Sequence, residues 1–118
     1  MNIEDYRDFC LAKNRVTEET PFHNSDHILV FKVAGKMFTA TDINTFDSFS
    51  VKCPPEEVEQ MREQYQGVGT QPYMSKKHWN KVAVNSDIPD ELAFRWISRS
   101  YDLVVANLPK KLRDELTI

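Results

Sequence analysis

The sequence predicts a two-layer α+β domain in which an antiparallel sheet is covered on one face by helices. Three observations carry this. Residues 48–53 alternate Phe49, Val51 and Cys53 with Ser48, Ser50 and Lys52, the pattern of a sheet that is wet on one face. Two runs rich in β-formers, 28–33 and 36–41, are separated only by Ala34-Gly35, the length of a tight hairpin turn. Apolar residues also recur at three- and four-residue steps near the start, in the middle and near the end of the chain, which is the helical period.

Taken in order, Asn2 is placed to cap a first helix, with Asp5 at the acid position of a capping box. Ile3, Tyr6, Phe9 and Cys10 share one face of it, leaving Glu4, Asp5 and Asp8 to solvent. Residues 14–26 read as a loop carrying Pro21 and the polar cluster His23-Asn24-Ser25-Asp26. Three strands follow: 28–33, 36–41 and 48–53. Gly35 supplies any positive φ between the first two. In the second, Phe38 and Ala40 fall on one face, Met37 and Thr39 on the other. Lys32 and Lys52 are expected on the face opposite the core.

Pro54-Pro55-Glu56-Glu57 then opens a second helix, since proline suits a first turn and acids complement the helix dipole. Val58, Met61 and Tyr65 form its stripe, and Gly67 ends it. Residues 68–72 and 79–84 supply two more strands. The longest helix runs from Asp87 to about Asn107, with Ala93, Trp96, Ile97, Tyr101, Val104 and Leu108 on its apolar face. Pro109 ends it, and 110–118 is a charged tail with room for one more helical turn. The order is α-β3-α-β2-α in a single domain, 1–118, without repeats or linkers.

Composition narrows the class. An apolar content of 41% suits a folded soluble domain, and no apolar run approaches the roughly 20 residues of a membrane span. The N-terminus lacks the basic and then apolar regions of a signal peptide. Cys10 and Cys53 are far apart and outside any C-x-x-C pattern, so reduced thiols in a cytoplasmic protein are expected. The net charge of −3 argues against a general polyanion coat, yet its distribution is uneven. Residues 1–26 hold six acids and three bases, whereas 66–86 hold three bases and no acid.

That acid-free segment centres on Tyr73-Met74-Ser75-Lys76-Lys77-His78-Trp79-Asn80-Lys81-Val82. Its lysines suit phosphate neutralisation, and Tyr73 or Trp79 suits stacking on an exposed base or wedging into a groove. The plainer reading has Trp79 anchoring the loop in the core and the lysines keeping it soluble. Arg95 and Arg99 would extend a basic surface, unless Arg99 pairs with Asp102 on a solvated helix face. Ser100-Tyr101 suggests a buried tyrosine with a bonded hydroxyl. His23 and His27, four apart around Asp26, would share a metal only on a helix, and Asn24-Ser25 argues for a turn, so neither metal nor cofactor is expected. No G-x-S-x-G, H-E-x-x-H or P-loop is present, and no acid stands near Ser75 and His78 to build a triad. The residues propose no catalytic activity.

Several blocks together carry a resemblance. Pro21-Phe22, Val30-Phe31-Lys32-Val33-Ala34-Gly35-Lys36-Met37-Phe38, Val51-Lys52-Cys53-Pro54-Pro55-Glu56, the lysine-rich stretch 73–82 and Ser100-Tyr101-Asp102-Leu103-Val104 resemble, in order and spacing, the MmcQ/YjbR family. The resemblance implies a compact α-β3-α-β2-α fold, related in shape to frataxin-like and secretion-chaperone-like domains. It also implies DNA binding through a winged arrangement of strands and loops. The family's lysine-histidine-tryptophan block falls on Lys76, Lys77, His78 and Trp79, and its serine-tyrosine pair on Ser100 and Tyr101. His23 stands where a glycine often follows the Pro-Phe pair, and Lys81 where a small hydroxyl residue is frequent.

The expectation is thus a non-enzymatic DNA-binding protein, a monomer or weak dimer that does not engage membranes. Its candidate contacts are Lys36, Lys52, Tyr73, Lys76, Lys77, His78, Lys81, Arg95 and Arg99. The alternative is a protein- or peptide-interaction module, which predicts an exposed apolar patch in place of a lysine-rich one.

Overall fold

In the computed structural model, which describes residues 1–21 and 26–116, the chain opens with α1 (Ile3–Leu11). The sequence-predicted cap is present: Asn2 Oδ1 accepts from the Asp5 N–H at 2.8 Å, and the Asp5 carboxylate accepts from the Asn2 N–H at 3.1 Å. Phe22, the cluster His23-Asn24-Ser25 and residues 117–118 lie outside the described residues. So does half of the histidine pair considered for a metal.

Where a loop was expected after α1, part of it is a strand, β1 (Val16–Glu19). It pairs antiparallel with β2 (Ile28–Val33), which turns into β3 (Lys36–Asp42). β4 (Ser48–Lys52) follows, then α2 (Val58–Gln64), β5 (Val68–Gly69), β6 (Trp79–Ala83), α3 (Asp90–Ala106) and α4 (Lys110–Leu116). The strands form one antiparallel sheet in the order β1-β2-β3-β4-β6-β5, so the described chain has one strand more than expected. Two helix starts also shift. Pro54 to Glu57 forms a turn (Glu57 N–H to the Pro54 carbonyl, 3.0 Å) ahead of α2. α3 begins at Asp90 because Asp87 is engaged elsewhere: its carboxylate accepts from the N–H groups of Gln66 and Gly67, each at 2.8 Å. Gly67 serves this clamp by leaving room, since a Cβ there would stand 2.3 Å from Ser86 Oγ.

The β2–β3 hairpin has a two-residue loop in which both residues are left-handed, Ala34 at φ 50° and Gly35 at φ 77°. This is the backbone of a type I′ turn, which matches strand twist but disfavours a residue bearing a Cβ at its first position. Ala34→Asn is therefore expected to raise unfolding stability by about 0.5–1 kcal/mol, because asparagine tolerates this conformation. Urea melts of the two proteins check it; an unchanged midpoint would remove the strain argument.

The core lies between the sheet and α1, α2 and α3. Leu29, Phe31 and Val33 of β2, Phe49 and Val51 of β4 and Val82 of β6 meet Tyr6, Cys10, Val58, Met61, Ala93, Trp96, Ile97 and Val104 of the helices. Tyr6 is completely buried, with its ring edge-on to Phe31 at 5.4 Å. Its hydroxyl meets Thr39 Oγ1 at 2.9 Å; because Thr39 donates to the Ser50 carbonyl at 2.8 Å, Tyr6 is the donor. A register shift opposite Phe31 and Lys32 corrects the expected facing of β3. Thr39 pairs with the core residue Phe31, so Phe38 and Thr39 are both buried toward the helices, and Ala40 turns to the outer face.

Candidate functional site

The acid-free segment forms the connection from β5 to β6 and the first half of β6. Gln71-Pro72-Tyr73-Met74 is a turn closed by the Met74 N–H on the Gln71 carbonyl (3.1 Å), with proline at a position that suits its fixed φ. A second turn follows, in which the N–H groups of His78 and Trp79 both reach the Ser75 carbonyl, at 3.2 and 3.0 Å.

Three contacts fasten this loop to the sheet and to α2. Gln71 Nε2 donates to Ser50 Oγ at 2.8 Å on the outer face. The His78 carbonyl accepts from the Cys53 N–H at 2.7 Å, prolonging the β4–β6 ladder. From α2, Arg62 donates through Nη2 to the carbonyls of Lys76 (2.7 Å) and Trp79 (3.2 Å) and through Nε to Asn80 Oδ1 (2.7 Å). β5 pairs only with Val82 and Lys81 of β6, so Arg62 takes the place of the missing ladder at Trp79. Asn80 is fully buried and donates from Nδ2 to the Val58 carbonyl at 3.1 Å, which completes the link between α2 and β6.

The loop so held presents Tyr73, Lys76, Lys77 and His78 to solvent, with Tyr73 94% exposed. By alternation from the buried Asn80 and Val82, Trp79 and Lys81 point to the outer face of the sheet. Lys52 pairs with Trp79 and Lys81 with Ser50, which puts both lysines on that face, half-buried, as the alternation of 48–53 predicts for Lys52. Lys36 is exposed beside the β2–β3 turn. β4 ends, and β3 and β6 begin, at one end of the sheet, so the register brings Lys36, Lys52 and the Lys76–Lys77 pair to that end. None of Lys36, Lys52, Lys76, Lys77 and Lys81 forms an ion pair with a described carboxylate; Lys32, also on the outer face, does, with Glu19 at 2.7 Å.

Other expectations are corrected. Trp79 does not anchor the loop in the core; it lies half-buried on the opposite face. Arg99 pairs with Glu57 at 3.1 Å, not with Asp102, and its Nη2 lies 3.3 Å from Met61 Sδ. Arg95 is exposed on the side of α3 turned away from its buried residues, so neither arginine joins the strand lysines. Tyr101 is half-buried and donates to the Asn14 carbonyl at 2.8 Å, while Ser100 is the fully buried member of the pair. Its hydroxyl donates to the Phe38 carbonyl (2.5 Å) and accepts from the Lys52 N–H (2.8 Å), filling the gap that the β3 irregularity leaves beside β4. Arg62, Asn80 and Gln71 were missed as organisers of the site. The available signal was Arg62, the sole base among the four acids of residues 54–65.

Both thiols are buried. Burial pushes the Cys10 thiol up to about 12 and raises that of Cys53, against the opposing influence of the Arg99 guanidinium. Among the described residues no group of three or more His, Cys, Asp or Glu side chains is placed to hold a metal, and His27 Nε2 stands 3.7 Å from Asp42 Oδ2. A surface cavity of about 450 Å³, bordered by Ile3, Arg7, Glu18, Leu29 and Ile43, lies at the far end of the sheet from the lysines. No described helix is long and apolar enough to cross a membrane.

Comparison with known proteins adds a consistent set of relatives. The family model described as YjbR matches residues 11–103. An Escherichia coli protein, named as the uncharacterised protein YjbR, is 27% identical over 114 residues that cover 96% of this chain and 95% of its own. The crystal structure of Deinococcus radiodurans protein DR2400, with the family-model domain DUF419, superposes with a TM-score of 0.90 at 31% identity, covering 99% of this chain and 88% of that one. A Pseudomonas syringae protein shares the fold at a TM-score of 0.75 and 22% identity, covering 87% of this chain and 98% of its own.

Proposed function

The chain belongs to the YjbR family, and from that premise we propose that it is a small, non-catalytic DNA-binding protein whose contact surface is the lysine end of the sheet. One observation carries the reading: Lys52 and Lys81 on the outer face, and Lys36, Lys76 and Lys77 in the turn and loop at the end of the sheet where β3 and β6 begin, come from three separate stretches of sequence and have no described carboxylate partner. In a chain of net charge −3, leaving five cations uncompensated costs attraction that nearby acids would supply, and a phosphate backbone restores it. Ten of the chain's eighteen acids lie on the four described helices and none in residues 66–86, which supports the approach of a polyanion from the loop side. Arg95 and Arg99 stand outside this surface.

The interaction-module alternative calls for a contiguous apolar patch. The exposed large apolar side chains among the described residues are Leu11, Ile43 and Tyr73, which lie on α1, on the β3–β4 connection and on the loop before β6. Their separation favours the lysine reading.

Fluorescence anisotropy with a labelled DNA duplex at two ionic strengths tests the proposal. With four or five phosphate contacts, modest affinity is expected at low salt, falling with a log–log slope of roughly −4. Affinity indifferent to salt, or no binding at low salt, would count against it.

A further inference from the structure

Resting on the DNA-binding reading, we infer that the favoured ligand is single-stranded DNA, with one unpaired base stacked on Tyr73 and its flanking phosphates on Lys76 and Lys77. The first ground is the exposure of Tyr73 itself. At 94% exposed it makes no ring contact among the described residues, whereas Tyr6, Tyr65 and Tyr101 each pack against another aromatic ring. A large amphipathic ring held in water gains nothing from the fold.

The second ground is rigidity. Tyr73 rides on a proline turn whose preceding residue, Gln71, is tied to Ser50, and the backbone at Lys76 is tied to Arg62. The ring and the lysines are thus carried on one pre-ordered backbone, so less ordering remains to be done when a ligand arrives.

The third ground is the chemistry of the ligand. A duplex offers phosphates to the lysines but keeps its base faces stacked, so the ring has nothing to cover. Side chains that pry a duplex step apart are apolar wedges such as phenylalanine, leucine or methionine. A tyrosine, with a polar rim, is suited to the face of a base that is already free. Stacking of this kind tolerates any base, because every base has a π-face.

The test compares an oligothymidylate of about 15 nucleotides with a duplex of equal length, at the same low salt, for the wild type, Tyr73→Ala and Tyr73→Phe. The single strand is expected to bind about tenfold or more tightly than the duplex. Tyr73→Ala should weaken single-strand binding by about 5- to 150-fold and leave duplex binding unchanged, and Tyr73→Phe should retain most of the affinity. Circular dichroism of the alanine variant checks that its fold is intact, as the exposure of the side chain leads one to expect. Equal or tighter duplex binding, or an alanine variant that binds the single strand normally, overturns the stacking role but leaves the lysine surface standing. No binding of either DNA overturns both.

Discussion

Ser100→Ala is expected to lower unfolding stability by roughly 2–4 kcal/mol, although it removes a single oxygen atom. That oxygen lies fully buried between α3 and the sheet, giving its proton to the Phe38 carbonyl and taking one from the Lys52 N–H. Without it, two backbone groups lose their partner in a place that water reaches poorly. Each such loss costs about 1–3 kcal/mol, and partial relaxation brings the sum below the maximum. Urea denaturation measures the difference, and against a total stability of about 5–15 kcal/mol it is large. A loss under about 0.5 kcal/mol would mean that the β3–β4 ladder closes up by itself and that Ser100 is incidental to it. The position also bears on the site, because the Lys52 N–H it holds belongs to the strand end from which the lysine side chain projects.

The double charge reversal Lys76→Glu, Lys77→Glu should act in the opposite way, with a large effect on binding and almost none on stability. Both side chains are exposed and neither has a described acidic partner, so the fold has little to lose. At a salt slope of about −0.9 per phosphate contact, two lost contacts should lower duplex affinity about a hundredfold near 50 mM salt and flatten the slope by about 2. Anisotropy titrations at several ionic strengths read both quantities. Unaltered affinity with an intact fold would exclude this loop from the interface.

Much of the architecture was legible because local rules and tertiary packing agree. Asn2 and Asp5 form the capping box that their spacing implies, and 48–52 is a strand with Phe49 and Val51 inward and Lys52 outward. β1 was missed for a physical reason. Val16-Thr17-Glu18-Glu19 has one apolar residue and no alternation, and it becomes a strand only because β2 offers a free edge while Arg7 and Lys32 neutralise its two glutamates. The facing of β3 was misread because one extra residue shifts the period of two, and periodicity carries no signal of a bulge.

In the candidate site, the clustering of lysines along 76–81 was visible in the sequence, whereas the scaffold that holds them was not. Arg62 works through backbone carbonyls fourteen and seventeen residues away, and no side-chain pattern encodes such partners. For Arg99 the sequence offers a basic surface or a neighbour on its own helix, Asp102, but a glutamate from the turn before α2 takes it instead. Trp79 was placed inside by the habit of its residue type, yet the alternation of β6 around Asn80 and Val82 decides the matter.

The manner in which Arg62 grips its neighbours has one more implication. Its partners are neutral amide oxygens, and dissolved ions weaken such bonds far less than they weaken attraction between separated opposite charges. A titration with sodium chloride would then loosen the ligand while the platform beneath it keeps its shape, so the dependence on ionic strength counts phosphates and not a rearranging protein.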